Sequence, residues 1–157
     1  MAKTSWLIEQ LKASKDNPLN FTKGTTFGWD YSTHTVTYDA SRRECDTYLL
    51  HEVGHAILGH RGYQSDTQLL EMERAAWDKA QELANIHHVV IDDSNIEESL
   101  DTYRDWLHSR SLCPHCDSTG LQTASNHYHC TACQHEWRVN EARTCALRRY
   151  STKKRSR

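Results

Sequence analysis

The spacing of apolar and polar residues changes along the chain, and each pattern predicts a different element. Apolar residues at helical spacing over 4–14 predict a short helix that ends before Pro18. The stretch 25–39 is rich in Thr and aromatic residues and contains Val, which predicts two short strands or a hairpin. The first quarter of the chain therefore combines a helix with a small sheet.

Three more helices are predicted further along the chain. One begins at Asp46 or Thr47, where a short polar side chain is expected to cap it, and stops before Gly59. The next covers 65–88 and repeats apolar residues every three or four positions. The last begins at Ser94, which we expect to act as its cap. Helices accompanied by a short antiparallel sheet indicate an α+β fold.

The sequence HEVGHAILGH lies in the helix that stops before Gly59. Residues four apart on a helix share one face, so His51 and His55 can present two imidazole nitrogens to one metal ion. Glu52 is the next residue around the helix and is positioned to take a proton from water held by that metal. The pattern predicts a catalytic zinc site with Glu52 as the general base.

A catalytic zinc ion usually has three protein ligands, so a third residue is required. His60 follows His55 by five residues, and it does not fit the spacing of six, with a glycine midway, that is found in one class of zinc peptidase. Glu71 and Glu73 on the next helix are the other candidates. Glu73 lies on the small, inward-facing side of that helix and is predicted to be the ligand, whereas Glu71 is predicted to face solvent.

These residues resemble the ImmA/IrrE-like metallopeptidases, which are small cytoplasmic gluzincins. The resemblance covers about residues 25–85 and depends on HEVGHAILGH followed by E-x-x-A-W-x-x-A from Glu73 to Ala80. It implies a zincin-like domain in which His51, His55 and Glu73 bind zinc and Glu52 is the catalytic base. It also implies a protein substrate, a transcriptional repressor or a related regulator.

Two C-x-x-C pairs separated by thirteen residues follow the helical region. Each pair can deliver two thiolates to one side of a tetrahedral zinc ion, which predicts a zinc-ribbon β-hairpin with a structural zinc. Nearby histidines, at positions 115, 127, 129 and 135, are alternative ligands. The predicted ligands are Cys113, Cys116, Cys130 and Cys133, so the chain is expected to bind two Zn²⁺ ions in total.

The change from helical pattern to cysteines and turns after Arg110 divides the chain into three predicted parts. These are a zincin-like domain over 1–109, a four-cysteine ribbon over 110–140 and a basic tail over 141–157. Residues 134–157 carry eight Lys/Arg and two acidic residues, whereas residues 1–133 carry eleven Lys/Arg and nineteen acidic residues. The ribbon and tail are therefore candidates for binding nucleic acid or for a purely structural role.

No apolar run is long enough to cross a bilayer, and the first residues lack the apolar block of a signal peptide. We therefore expect a cytoplasmic protein with no membrane partner. Four of the six cysteines fall in the C-x-x-C pairs, which in such a compartment favours metal binding over disulfides.

The leading functional hypothesis is a zinc-dependent endopeptidase that cleaves a regulatory protein. A second hypothesis is an SprT-like protease, because that family also joins HExxH to a four-cysteine ribbon and acts on proteins attached to DNA. The third is a non-enzymatic adaptor whose ribbon binds nucleic acid or protein. Candidates for stabilising the oxyanion are, from their place in the sequence alone, His60, Tyr63 and Tyr31.

Overall fold

The protein has an α+β fold, as the sequence pattern predicts. A computed structural model describes residues 3–14, 18–141 and 145–152. The described part of the chain contains the following elements in order: α1 (Lys3–Lys12), β1 (Asn20–Lys23), β2 (Gly28–Asp30), β3 (Thr35–Tyr38), α2 (Cys45–Ile57), α3 (Asp66–His87), α4 (Asp93–Ser111), β4 (Leu121–Ala124), β5 (His127–His129), β6 (Glu136–Val139) and β7 (Arg149–Ser151).

The first sheet has three strands in the order β1-β3-β2. Strands β2 and β3 form the antiparallel hairpin that was predicted over 25–39, and Asp30 accepts hydrogen bonds from the backbone and hydroxyl of Ser32 in its turn. Strand β1 pairs with β3 in parallel and was not anticipated by the sequence pattern. The central strand β3 buries Val36 and Tyr38, and α2 packs against it.

Helix α2 ends where its sequence predicts. Gly59 has a φ of +64°, the left-handed conformation that commonly terminates helices, and the Gly59 N–H donates to the carbonyl of Ala56. The start of the helix differs from the prediction, because Glu44 is the N-cap and its side chain makes no capping hydrogen bond. One face of α2 is buried, and it includes Leu49, Leu50 and Val53.

The second sheet has four antiparallel strands in the order β4-β5-β6-β7. Its inner side holds a small core that includes Tyr128, Trp137 and Val139 together with two of the C-x-x-C cysteines. The hydroxyl of Tyr128 donates to Asp66 at the start of α3, and Trp137 Nε1 donates to the Arg110 carbonyl at 3.1 Å. The second sheet is thus anchored by hydrogen bonds to the first turn of α3 and to the last turn of α4.

The chain divides into two compact units. One comprises Met1–Gly62 and Glu71–Glu97, and the other comprises Tyr63–Leu70 and Glu98–Arg157. The second unit contains the predicted ribbon over 110–140 as well as much of α4. In the predicted tail over 141–157, residues 142–144 and 153–157 lie outside the described part of the chain. The domain limits proposed from the sequence remain a prediction.

Among the described residues, none of the helices combines the length and the apolar character that a membrane-spanning segment requires.

Candidate metal centres

The first centre begins with two histidines on consecutive turns of α2. His51 and His55 are both buried, and their ring centroids lie 4.6 Å apart. Their Nε2 atoms are 3.2 Å apart, close enough to bind the same ion. The helical spacing predicted from the sequence therefore brings two potential ligand atoms together.

Helix α3 supplies the third group. Glu73 is buried, and its Oε2 lies 3.1 Å from His51 Nε2 while its Oε1 lies 3.5 Å from His55 Nε2. The two helices approach closely because Gly54 faces Ala76. A Cβ atom on Gly54 would collide with the Ala76 carbonyl. Glu71, the alternative acid, is exposed.

The separations among these three side chains fit a shared ion. Ligands at the corners of a tetrahedron about 2.0–2.1 Å from zinc are about 3.3 Å from one another. In the structure the two Nε2 atoms are 3.2 Å apart, and each lies near one oxygen of the Glu73 carboxylate, His51 at 3.1 Å from Oε2 and His55 at 3.5 Å from Oε1. His51, His55 and Glu73 could therefore hold a metal ion, and a set of three leaves a tetrahedral position for another ligand.

The pKa shifts of Glu73 and His51 favour the charge states that bind a metal, whereas the shift of His55 reflects the carboxylate beside it. Burial opposes ionisation of Glu73, but hydrogen bonds with His51 and His55 outweigh it and lower the pKa of the carboxyl to about 2. Burial lowers the pKa of His51 and favours the neutral imidazole that binds metals. Burial acts in the same direction on His55, but the hydrogen bond and charge of Glu73 prevail and raise its pKa.

Glu52 lies beside this centre without belonging to the ligand group. The residue is partly exposed, yet its carboxyl is largely desolvated, and this desolvation raises its pKa to about 7. A carboxyl with a pKa near neutrality can both accept and release a proton. A cation held by the neighbouring residues would favour the carboxylate and lower this pKa.

On one side of the centre, an aromatic ring that the sequence pattern did not predict packs against a candidate ligand. The ring of Trp77 stacks on His51, with ring centroids 4.2 Å apart and an angle of 25° between the planes. Trp77 follows Glu73 by one helical turn, and this spacing is the sequence signal that could have indicated a shared role. Within the described residues, the buried His51 Nδ1 has no hydrogen-bond partner, so on that side the ring is held by stacking and not by a hydrogen bond.

His60 lies behind His55, outside the ligand group. Its Nδ1 is 2.8 Å from Nδ1 of His55, whereas the other ring nitrogen of His55, Nε2, is the one that faces Glu73. The geometry therefore argues against His60 as the third ligand. Tyr31, another candidate for the oxyanion, is covered by the guanidinium of Arg61, which is 4.0 Å from the Tyr31 ring centroid.

The second centre contains the four cysteines of the C-x-x-C pairs. Sγ atoms from different pairs are 3.6 Å apart for Cys113 and Cys133 and 3.5 Å apart for Cys116 and Cys130. Four sulfurs about 2.3 Å from a tetrahedral zinc are about 3.8 Å from one another. This group could therefore hold a metal ion in a closed shell of protein ligands.

Both cysteine turns have the same backbone form. Asp117 and Gln134, which directly follow the second cysteine of each pair, have φ values of +60° and +64°. Their N–H groups donate to the carbonyls of Cys113 and Cys130, both at 2.9 Å. Hydrogen bonds from Ser118 lower the pKa of Cys116 to about 6, which favours the thiolate that metals bind.

The histidines near the ribbon are outside the ligand group of four cysteines. His115 and His135 stack on each other, with ring centroids 5.7 Å apart, and His135 also stacks on Trp137. His127 and His129 lie on β5. The all-cysteine set is therefore the arrangement that the geometry favours over substitution by histidine.

Comparison with known proteins gives no match: no family model, curated protein or solved structure is similar to this chain. The two candidate centres are therefore the features from which a function can be inferred. One has a closed set of four cysteine sulfurs, which suits a structural metal, and the other has three mixed ligands beside a carboxyl, which suits metal-assisted chemistry.

Proposed function

We propose that the protein is a zinc-dependent endopeptidase whose zinc is held by His51, His55 and Glu73, with a second, structural zinc in the ribbon. The observation that carries the proposal is the convergence of two imidazole nitrogens and one carboxylate at separations of 3.1–3.5 Å, with the Glu52 carboxyl close enough to interact electrostatically with His55 and Glu73. The combination of two imidazoles and one carboxylate is used by known zinc peptidases.

Each residue of the first centre has a distinct task in this proposal. Zinc, when bound, supplies Lewis-acid polarisation of a carbonyl and lowers the pKa of water. His51 and His55 contribute neutral nitrogens, and the carboxylate of Glu73 partly neutralises the cation. Glu52 accepts a proton from the attacking water at its carboxylate and returns it to the leaving amine nitrogen as the peptide bond breaks.

The position of Glu73 favours the gluzincin hypothesis over the SprT-like one. An SprT-like site needs a third histidine, whereas the group near His51 and His55 is completed by a carboxylate from α3. The regulatory-protein substrate comes from the resemblance to ImmA/IrrE-like peptidases and forms part of the proposal. The cytoplasmic location is proposed on the same basis.

Replacing Glu52 by Gln tests the proposal because it removes the base while keeping the shape of the side chain. Wild-type protein and Glu52→Gln, both loaded with zinc, should contain two zinc ions per chain by native mass spectrometry. When each is incubated with a proteome-derived peptide library, cleavage by the variant should fall by at least about 100-fold.

Two variants serve as controls for this experiment. His51→Ala should lose one zinc and all cleavage, whereas Glu71→Gln, which changes an exposed acid on α3, should behave as wild type. The proposed peptidase activity would be refuted if wild type and Glu52→Gln cleaved the library equally. It would also be refuted if zinc-loaded wild type did not cleave the library.

A further inference from the structure

The ring of His60 contacts the side of His55 that a bound metal leaves free. The two Nδ1 atoms are 2.8 Å apart, whereas Nε2 of His55 faces His51 and Glu73. When Nε2 of a neutral imidazole binds a metal, its proton must be on Nδ1. The His55 Nδ1–H therefore requires a hydrogen-bond acceptor. The Nδ1 atom of His60 lies where its lone pair can accept this bond.

The backbone fixes His60 in this position independently of its ring. After the left-handed turn at Gly59, the His60 N–H donates to the His55 carbonyl at 3.0 Å. The His60 carbonyl accepts a hydrogen bond from Trp29 Nε1 at 2.9 Å. Both bonds involve only main-chain atoms of His60, so a substitution of the side chain leaves them in place and isolates the contribution of the ring.

We propose that His60 is a positioning residue that accepts the Nδ1–H bond of His55 and so holds Nε2 of His55 towards the metal. This inference rests on the metal centre of the proposed function. Most metal-binding histidines donate their second ring N–H to a carboxylate, a carbonyl or water. Here the acceptor is a second histidine, which must carry its own proton on Nε2.

The two ligand histidines are therefore oriented by different means. His51 is held by stacking on Trp77, and among the described residues its buried Nδ1 has no hydrogen-bond partner. His55 has a hydrogen-bond partner in His60. Removing the His60 ring should therefore loosen one ligand without altering the other.

The proposal is tested by comparing three substitutions of His60. His60→Ala removes the acceptor, His60→Leu replaces it with an apolar group, and His60→Asn restores an acceptor because its side-chain oxygen occupies about the position of Nδ1. Zinc affinity of the full-length chain is measured at one pH by competition with a chromophoric chelator. His60→Ala and His60→Leu should bind the first-centre zinc about 10- to 100-fold more weakly, and His60→Asn should recover most of that loss.

A spectroscopic measurement accompanies the affinities. In zinc-loaded wild type, ¹H–¹⁵N spectra of the histidine rings should show His55 protonated on Nδ1 and His60 protonated on Nε2. His108→Ala, a change to an exposed histidine of α4, serves as the matched control and should bind both zinc ions as wild type does. Thermal unfolding of each zinc-free variant identifies any loss of folding.

The outcomes separate this inference from the proposed function. Unchanged zinc affinity in His60→Ala, or an equal loss in His60→Ala and His60→Asn with intact folding, would overturn the role of His60. A wild-type chain that binds zinc only at the four cysteines would instead refute the metal centre itself. Selective rescue by His60→Asn supports the inference.

Discussion

Two requirements conflict at Glu52. The proposed role as general base requires an ionised carboxyl, but desolvation favours the protonated form and raises the pKa of Glu52 from 4.5 to about 7 in the metal-free chain. The folded protein therefore binds a proton at Glu52 more tightly than the unfolded chain does. Stability associated with this proton is fully present below about pH 4.5 and is lost as the pH rises through about 7.

Glu52→Gln should consequently stabilise the metal-free protein in a pH-dependent way. Relative to wild type, the free energy of unfolding should increase little at about pH 4.5 and by up to about 3 kcal/mol at about pH 8. Urea unfolding of the chelated proteins at several pH values measures this difference. A difference that is constant across this range would show that the carboxyl is not perturbed by burial.

For individual residues, the sequence predicted which side chains could bind the metal but not which side chains contact them. Helical spacing predicted that His51 and His55 share a face, and the small residues near Glu73 predicted that this acid turns inward. The stack of Trp77 on His51 and the contact of His60 with His55 were not predicted. Both depend on ring orientations, which the order of residues does not determine.

Gly54 shows how one element positions another. Because a Cβ atom at this position would meet the Ala76 carbonyl of α3, only glycine allows the two helices to approach as they do. This approach brings Glu73 on α3 within 3.1 Å of His51 on α2. The geometry of the candidate metal centre therefore depends on a residue that has no side chain.

Gly54→Ala should move α3 away from α2 and weaken the metal centre. Overpacking of this kind typically costs about 1–3 kcal/mol of folding free energy, and displacement of Glu73 should reduce zinc affinity by about 10-fold or more, because one of three ligands is misplaced. Urea unfolding and chelator competition measure the two effects. Gly62→Ala is the matched control, since a Cβ there meets no atom within 4 Å.

The elements were predicted more accurately than their ends. The four helices and the β2–β3 hairpin follow from apolar spacing and turn residues, and Gly59 ends α2 as expected. The predicted caps were wrong for α2, which begins one residue before Asp46 with Glu44 as its N-cap. The cap predicted at Ser94 was also wrong, because α4 begins at Asp93 and the Ser94 N–H donates to the Asp92 carboxylate. Strand β1 was missed because its pairing with β3 is a long-range contact with little local signal.

At the scale of the whole molecule, the chain combines two groups of residues that could hold a metal ion, each with a different set of ligands. The four-cysteine group stands beside a small buried core around Trp137, and in a module of this size metal binding contributes much of the folding free energy. The His-His-Glu group lies among buried residues of the other unit and uses only three ligands. The first suits stability, whereas the second leaves a coordination position for chemistry.

The α+β class and the grouping of the four C-x-x-C cysteines could be predicted because each follows from short-range patterns. The division of α3 and α4 between two compact units could not, since it depends on which distant segments pack together. The proposed activity adds one requirement to these features, namely that a metal ion is shared by residues of α2 and α3.

An anomalous difference map at the zinc absorption edge, from crystals of the zinc-loaded chain, tests this requirement most directly. We predict one peak among Cys113, Cys116, Cys130 and Cys133. A second should lie about 2.0–2.2 Å from His51 Nε2, His55 Nε2 and a Glu73 carboxylate oxygen, with no fourth protein ligand. A single peak at the cysteines, or a second peak with four protein ligands, would contradict the account.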